Sequence, residues 1–348
     1  MTPFERDDKD GGLDVAKRMA EEEEGISRRP KGASKHVISV IGVIWCFFQL
    51  SIASWWILDT VFIRSIHLGF ALLIVFLNYP LFKETHFGLK FLSVKNRIPP
   101  WDYIVAIVAC FSAVYIAVDY AGINERYGAP ITRDLLIGLI LLVFLLEASR
   151  RVIGPALSII ALFFCLYAFF GPYMPDIIAF KGVSLSRFMG QITMSTEGIY
   201  GIPLDVSATI VFLFVLFGAM LDKAGAGRYF IQLALSLLGG FKGGPAKAAV
   251  VGSGLTGLVS GSSIANIVTT GTFTIPLMKK VGYPAKKAAA VEVAASTDGQ
   301  LAPPIMGAAA FIIAEYVNVP YLAVIKAAAI PAFASYAALF FITHIEAS

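Results

Sequence analysis

Charge is scarce in this sequence, and so are the residues that carry most enzyme chemistry. Asp, Glu, Lys and Arg make up 15% of its 348 residues, whereas soluble globular proteins contain about 25%. Its three cysteines stand singly within apolar runs, which excludes a CxxC motif or a disulfide framework. Its four histidines show no metal-ligand spacing. We therefore expect neither an enzyme nor a bound cofactor, and the net charge of only +4 argues against a nucleic-acid partner.

Long apolar runs are abundant instead. Hydrophobic residues make up 57% of the chain, and runs of about 18 or more such residues are typical of membrane spans. Apolar runs occupy residues 37–58, 65–82, 103–118, 135–146, 153–173, 206–221 and 322–342. The sequence therefore predicts an all-α, polytopic transmembrane helical protein.

The polar segments predict how the chain lies in the membrane. Residues 1–36 are too polar for a signal peptide and are expected to form a disordered cytoplasmic tail. With that tail inside, the inside segments hold fourteen Lys and Arg residues and the outside segments hold five. This asymmetry predicts a multi-pass protein of the cell inner membrane with a cytoplasmic N-terminus. Residues 83–102, in which basic and apolar residues alternate, are expected to lie on the membrane surface.

Beyond residue 221 the composition changes, and Gly and Ala replace Leu and Phe. Two apolar arms, 246–259 and 264–278, are too short to span a bilayer and flank the polar tip Ser260-Gly261-Ser262-Ser263. Lysines stand at the outer end of each arm, so both ends belong on the cytoplasmic side. This pattern predicts a re-entrant helical hairpin over about 245–280.

The next segment, 285–316, predicts a helix that is broken near its middle by Ser296–Gln300 and Pro303-Pro304. Lipid cannot satisfy the hydrogen bonds of irregular backbone, so such breaks persist only against protein or a water-filled cavity. Secondary transporters use the freed carbonyls and helix ends to hold ions and anionic substrates. The alternative is that the small residues of both interruptions serve only close helix packing.

Four acidic residues in apolar surroundings need an interpretation. Asp298, within the break, is either a functional mid-membrane carboxylate or a residue of a wet vestibule. Glu292 and Glu315 are expected near the ends of their half-helices. Glu147 is expected to pair with the adjacent arginines at positions 150 and 151.

Gly252-Ser253-Gly254-Leu255-Thr256-Gly257 matches the G-x-G-x-x-G pattern of dinucleotide sites. Such a site also needs a βαβ unit and an acidic residue about twenty positions further on, and both are missing here. We therefore expect these glycines to thin one hairpin arm for tight packing.

Several motifs resemble one family of transport proteins. They are Gly243–Lys247, Ser260–Asn266 continuing through Thr269–Lys280, Ala294–Gln300 with Pro303-Pro304, and Glu147–Arg151. In them the chain resembles the large membrane subunit of tripartite ATP-independent periplasmic (TRAP) transporters, and it is most similar to the fused permease of the TAXI-type branch. The resemblance covers about residues 37–345 and is most specific over 243–311.

The resemblance implies a domain organisation. Residues 37–151 correspond to four small-subunit-like scaffold spans after the tail 1–36, and residues 152–348 to the first half of an elevator-type transport module. The family's large subunit contains a second, inverted repeat with its own hairpin. Because this sequence stops after one repeat, the resemblance implies either a fragment or truncated product, or a second polypeptide that carries the missing repeat.

The resemblance also implies a function and a site. The function is sodium-driven uptake of an organic acid, such as a dicarboxylate or similar anion, delivered by a periplasmic binding protein. The implied ion and substrate site consists of Ser260, Gly261, Ser262, Ser263, Asn266, Thr297, Asp298, Gly299 and Pro303. Sodium, as the coupling ion, is expected to bind among Ser262, Asn266, Thr297 and Gly299. Asp298 departs from the family pattern, since many relatives carry glycine there, and its role stays open.

Two other functions are compatible with the residues. One is an ion-coupled, elevator-type anion symporter that works without a binding protein. The other is a non-transporting, truncated scaffold that inserts into the membrane without sodium-dependent flux. Dependence of uptake on a binding protein separates the first from the TRAP function, and flux in the presence of a complementary half separates the second.

Overall fold

The computed structural model describes Arg28, Pro30 and residues 32–81 and 97–347. Across these residues the regular structure is helical, with no β-strand. Most of the predicted tail and of the predicted surface segment 83–102 lies outside the described residues, and their states stay predictions. The described residues form two compact units that divide at residues 209 and 210. The predicted division at residue 151 separates family modules rather than packing units, and it stays a prediction.

The first unit holds the helices of the early apolar runs. They are α1 (Ala33–Ser54), α2 (Thr60–Asn78), α3 (Pro100–Val118), α4 (Tyr120–Glu125), α5 (Thr132–Val152), α6 (Pro155–Phe170), α7 (Leu185–Thr193) and α8 (Ile202–Val206). A 3₁₀ turn, Gly171–Tyr173, follows α6, and a π-helical turn, Ser207–Val211, follows α8. The centre of this unit is the packing of α2 along α3, with α5 against both.

The second unit contains helices that are mostly shorter than a membrane span. They are α9 (Phe212–Lys223), α10 (Ala226–Leu238), α11 (Gly244–Ser260), α12 (Ser263–Lys280), α13 (Ala285–Asp298), α14 (Ala308–Val317) and α15 (Tyr321–Glu346). α11 and α12 are the two predicted arms, and α13 packs against both. The interruption between α13 and α14 confirms the predicted broken helix. Insertion of α11 and α12 as a re-entrant hairpin stays a prediction.

Six helices of the described part are long and apolar enough to cross a membrane. They are Ser34–Ser54, Thr60–Asn78, Pro100–Val118, Pro155–Tyr173, Ile202–Lys223 and Tyr321–Glu346. Each coincides with a predicted apolar run, so the prediction of an all-α, polytopic membrane protein is confirmed. The remaining run, 135–146, forms the middle of α5, which carries charged residues in its first and last turns. Its role as a span stays a prediction.

An apolar core holds α2, α3 and α5 together. Leu72, Phe76, Leu77 and Leu141 are at most 2% exposed. The ring of Phe76 meets that of Phe144 edge to face, with centroids 5.6 Å apart. Between helices in lipid, close packing and polar contacts provide the association that the hydrophobic effect provides in water.

A buried ionic cluster joins the ends of the same three helices. Asp102, in the first turn of α3 and 1% exposed, pairs with Arg28 and, at 3.2 Å, with Arg151 of α5. Arg28 also donates hydrogen bonds to the carbonyls of Phe76 and Leu77, at 3.3 and 3.2 Å. The last carbonyls of a helix lack intrahelical partners, so this guanidinium completes the end of α2.

The acidic residue of the segment Glu147–Arg151 takes part in this cluster. Glu147 accepts hydrogen bonds from Arg150, at 2.7 Å, and from Arg151, at 2.8 Å, which confirms its predicted pairing. The two arginines also donate to the carbonyls of Leu81 and Tyr79, which follow α2. The segment therefore ties the end of α5 to the chain that leaves α2.

A second ionic cluster lies at the opposite end of α3. Arg126 binds Asp134 at 2.8 Å and Asp119 at 2.5 Å. The hydroxyl of Tyr115 donates to Asp134 at 2.5 Å. The Arg126 guanidinium also lowers the pKa of the Asp119 carboxyl. Buried charge at both ends of α3 is thus paired within the first unit.

Replacing Asp102 by Asn tests the first ionic cluster. The variant leaves the buried Arg28 without its anion, whereas Arg151 keeps Glu147. Removing one partner of a buried ion pair costs about 3–5 kcal/mol of unfolding free energy. Denaturant unfolding of the purified protein in detergent measures this loss. The matched control, Asp176→Asn, alters an exposed carboxylate of the same unit and is expected to change the free energy by less than about 0.5 kcal/mol. Equal stability of the two variants would contradict the prediction.

Candidate functional site

The turn between α11 and α12 is built by two residues, Gly261 and Ser262. Gly261 has a φ of 62°, in the left-handed region that favours glycine. Its N–H donates to the carbonyl of Gly257 at 3.2 Å and so ends α11. The Ser262 hydroxyl accepts from the N–H of Ala265 at 3.3 Å and caps the start of α12. The chain therefore reverses sharply and leaves a helix C-terminus beside a helix N-terminus.

Residues 299–307 form the break between α13 and α14. The hydroxyl of Tyr321 lies 2.9 Å from the carbonyl oxygen of Pro304 and 2.6 Å from that of Ile305. Met306 has a φ of 56°, which is uncommon for a residue with a side chain. A side chain from α15 therefore supplies a donor to the irregular backbone of the break.

The turn and the break meet. A Cβ placed on Gly257 would lie 2.7 Å from the Cα of Gly299, so α11 touches the end of α13 backbone to backbone. A Cβ on Gly261 would lie 2.8 Å from a carbonyl oxygen of the break. The Gln300 side chain donates to the hydroxyl of Ser263 at 3.0 Å. The two interruptions that the sequence predicts are therefore in contact.

The other glycines of α11 make similarly close contacts. A Cβ on Gly252 would lie 3.1 Å from the Cα of Ile231 in α10. A Cβ on Gly254 would lie 3.0 Å from the ring of Tyr336 in α15. The expectation that this glycine pattern serves tight packing is therefore confirmed.

Asn266 is the most deeply buried side chain among the predicted site residues. It is fully buried, and its Nδ2 donates to the backbone carbonyl and the hydroxyl of Ser253, at 2.9 and 3.1 Å. Its Oδ1 is buried and has no hydrogen-bond partner among the described residues. Its Nδ2 is also 3.3 Å from the Cβ position of Gly257, so the amide lies beside the contact with α13. A buried carbonyl oxygen without a partner is costly and points to a ligand.

This oxygen suits the coupling ion that the sequence predicts. Amide and backbone carbonyl oxygens at helix breaks are the groups with which secondary transporters hold sodium. The described residues contain no group of three His, Cys, Asp or Glu side chains that could hold a metal ion. A cation at Asn266 Oδ1 would therefore not be held by a cluster of three such side chains.

The remaining predicted residues are placed less centrally. Thr297 is exposed, and its hydroxyl donates to the carbonyl one turn earlier in α13. Asp298 accepts a hydrogen bond from Ser335 of α15 at 2.7 Å. Pro303 lies half-buried in the break, and Ser260 is the last residue of α11, with its side chain outside the described part. The structure thus brings Gly261, Ser263, Asn266 and Gly299 to the contact, whereas Thr297 and Asp298 use other partners, and their roles stay predictions.

A buried polar network that the sequence analysis did not predict lies between α11, α12 and α13. Glu292 was expected near the end of its half-helix, but it lies in the middle of α13 and is fully buried. Its carboxylate accepts hydrogen bonds from Thr270, from Thr274 at 2.6 Å, from Ser253 at 3.1 Å and from Ser296 at 3.2 Å. The expectation for Glu315 is confirmed, since it is exposed in the last turn of α14.

A signal for this network is present in the sequence. Asn266, Thr270 and Thr274 are spaced by four, and so are Glu292 and Ser296. This spacing places each set on one face of its helix. Polar stripes on otherwise apolar helices indicate a shared polar contact inside the protein.

Comparisons with known proteins agree with the geometry. The family model described as "Tripartite ATP-independent periplasmic transporter, DctM component" matches residues 140–348, more than half of the chain. The C4-dicarboxylate TRAP transporter large permease protein DctM of Vibrio cholerae is 37% identical over 91 residues, which cover 26% of this chain and 20% of that protein. The isethionate TRAP transporter permease protein DctMQ of Oleidesulfovibrio alaskensis is 29% identical over 205 residues, 55% of this chain and 30% of that protein. A putative TRAP transporter large permease protein of Haemophilus influenzae is 27% identical over 109 residues, 31% and 26% of the two chains.

The matched segments thus cover between a fifth and a third of the length of these relatives. No solved structure matches the chain. The relatives are permeases, which confirms the expectation that the chain is not an enzyme. The assignment to the TAXI-type branch and the absence of a second repeat stay predictions. With its multi-pass helical fold and its family match over residues 140–348, the chain belongs to the DctM-component family of tripartite ATP-independent periplasmic transporters.

Proposed function

We propose that this chain is the permease component of a sodium-driven secondary transporter that takes up organic acids together with a periplasmic substrate-binding protein. It lies in the cell inner membrane with its N-terminus in the cytoplasm. The observation that carries the proposal is the contact between the α11–α12 turn and the break after α13, beside the unpartnered Oδ1 of Asn266.

Four helix ends converge at this contact. α11 and α13 end there, and their C-termini carry partial negative charge. α12 begins there, and the backbone of Gly261 also lies beside Gly307, which precedes α14. The N-termini of α12 and α14 carry partial positive charge. One place therefore favours a cation on one side and an anionic group on the other, as a symporter of sodium and an organic acid requires.

Neutral oxygens supply the cation side. The proposed ligands are Asn266 and Ser262 from the hairpin, Thr297 from the last turn of α13 and Gly299 from the break. Asn266 has the best support because its Oδ1 is buried and free. Sodium bound there supplies the free energy of its gradient to the uptake of substrate.

The relatives support the choice of substrate class. The names of two of them refer to C4-dicarboxylates and to isethionate, and both are small organic anions. The family's name refers to a tripartite, periplasmic system, which supports a binding protein as the partner. The working permease is proposed to include a second half with its own hairpin, on this or on a second polypeptide, so the experiments below use the complete permease that contains this chain.

Uptake by the complete permease in proteoliposomes tests the proposed function. We expect labelled C4-dicarboxylate to accumulate only under an inward sodium gradient and only when the binding protein is present. A choline gradient of equal ionic strength is the control for salt. Sodium-driven uptake without the binding protein would favour the symporter alternative, and absence of flux under all conditions would favour the scaffold alternative.

Replacing Asn266 by Ala tests the cation ligand. Loss of a supporting ligand group typically lowers metal-ion affinity about 10–100-fold, so the sodium concentration that gives half-maximal uptake is expected to rise by about that factor. Thr272→Ala is the matched control in the same helix, because among the described residues the Thr272 hydroxyl bonds only the carbonyl of Thr269 in its own turn. Size-exclusion chromatography shows that each variant is folded. Unchanged sodium dependence in folded Asn266→Ala would exclude this ligand.

Replacing Gly299 by Ala tests the contact between the hairpin and the break. The new methyl group would lie 2.8 Å from the Cα of Gly257, so the two backbones must separate. We expect transport to fall at least about tenfold and unfolding free energy to fall by about 1–3 kcal/mol. Gly240→Ala is the control, since a Cβ there meets nothing within 4 Å. Normal uptake by Gly299→Ala would show that close approach of the backbones is not needed.

A further inference from the structure

Glu292 is a buried carboxylate that the proposed ligand set does not use. It lies in the middle of α13 with no exposed surface. Four hydroxyl groups donate to its two oxygens: Ser253, Thr270 and Ser296 to Oε1, and Thr274 to Oε2. Each hydroxyl has one hydrogen to give, and those of Thr270 and Thr274 are also within bonding distance of a backbone carbonyl one turn earlier. The network therefore offers up to four donors to an ionised carboxylate.

The described residues provide no positive side chain for this charge. None of them forms an ion pair with Glu292, whereas the buried Asp102 of the first unit is paired with two arginines. The helices α11, α12 and α13 carry five lysines: Lys247, Lys279, Lys280, Lys286 and Lys287. Each lies at least five positions along its own helix from Glu292 or from the nearest residue that bonds it, which is about 7.5 Å along the helix axis. An ionised carboxylate in this setting requires a compensating cation.

The groups that face Glu292 from neighbouring helices are neutral or distant. Tyr336 of α15 donates its hydroxyl to the carbonyl of Ala295, one turn from Glu292. Lys247 of α11 hydrogen-bonds His344 of α15 at 2.9 Å, which places both toward the outer end of the hairpin. Arg228 of α10 lies over the ring of Phe273 on α12. None of these side chains is a partner for the carboxylate.

A short chain of hydrogen bonds joins Glu292 to the amide nitrogen of Asn266, whose Oδ1 is the unpartnered oxygen. Ser253 donates to Glu292, and the same hydroxyl accepts from Asn266 Nδ2 at 3.1 Å. Thr270, which also donates to Glu292, lies one helical turn from Asn266 on the same face of α12. Side chains four residues apart on a helix lie about 5–6 Å from each other. A cation at Asn266 Oδ1 would thus be close enough to Glu292 for the two charges to attract each other strongly, because the effective dielectric constant inside a protein is low.

We propose that Glu292 is the fixed negative charge that balances the coupling cation bound at Asn266. Glu292 acts through Ser253 and Asn266, so it is a positioning residue and not a ligand. The inference rests on the proposed function, because it assigns the missing countercharge of the same cation site. The occupant is a monovalent cation with a preference for hard oxygens, and sodium is the probe.

Sodium binding to the purified, complete permease tests this inference without any transport measurement. The rise of its unfolding temperature with sodium chloride, against choline chloride at equal ionic strength, gives the apparent sodium affinity. Glu292→Gln keeps the shape and removes the charge, and we expect the sodium affinity to fall about tenfold or more. Glu292→Asp keeps the charge but shortens the side chain, and we expect a smaller loss. Thr274→Val removes one donor and leaves the charge, with an expected loss below about threefold.

The order of the variants separates charge from structure. If Glu292 only supports packing, Glu292→Gln binds sodium as well as the unaltered protein does, or Glu292→Asp is the more damaging change, and the inference is overturned. If a proton balances the carboxylate instead, Glu292→Gln keeps its sodium affinity and loses the dependence of that affinity on pH, which overturns it as well. If sodium fails to stabilise the unaltered permease, the proposed sodium coupling itself is wrong. The inference is supported if sodium stabilises the unaltered protein and the sodium affinity falls less in Glu292→Asp than in Glu292→Gln.

Discussion

The contact between Gly257 and Gly299 is the constraint on which the site depends. It brings the end of α11 against the end of α13 with no side chain between them. Because α12 starts directly after α11, its first turn and Asn266 are carried to the same place. The freed backbone groups of the turn and of the break then lie within one small volume, where they can serve an ion or a substrate. A methyl group at either glycine would push these elements apart.

Buried carboxylates have different partners in the two units. In the first unit, Asp102 lies between two arginines, and Asp134 is bound by Arg126 and Tyr115. Each of these negative charges is therefore balanced by an arginine of the same unit. In the second unit, Glu292 is surrounded by hydroxyl groups and has no cationic partner among the described residues. Ion pairs inside a fold are expensive to form but become rigid once satisfied. On the function proposed above, this difference separates a static scaffold from a module that exchanges its cation with solution.

Much of the architecture could be predicted because lipid imposes strong rules on sequence. Apolar runs located the membrane-spanning helices, and the Gly, Ser and Pro interruptions located both the hairpin turn and the break. Helix bounds were less accurate: α1 begins at Ala33, four residues before the apolar run, since polar residues near a helix start add no hydrophobic signal. Glu292 was misplaced because its partners come from three helices, and pairing between helices leaves only a weak spacing pattern in one sequence. The side-chain partners of Asp298 and Thr297 were likewise inaccessible, because they depend on how α13 is rotated about its axis.

The glycine content of α11 has a consequence for movement. Four of its 17 residues are glycine, and each lowers intrinsic helix stability by about 1 kcal/mol relative to alanine. Such a segment owes its helical state to neighbours that approach its bare backbone, here α10, α13 and α15. An arm that slid away from these neighbours alone would lose the contacts that stabilise its helix, so we expect α11 to move only together with them.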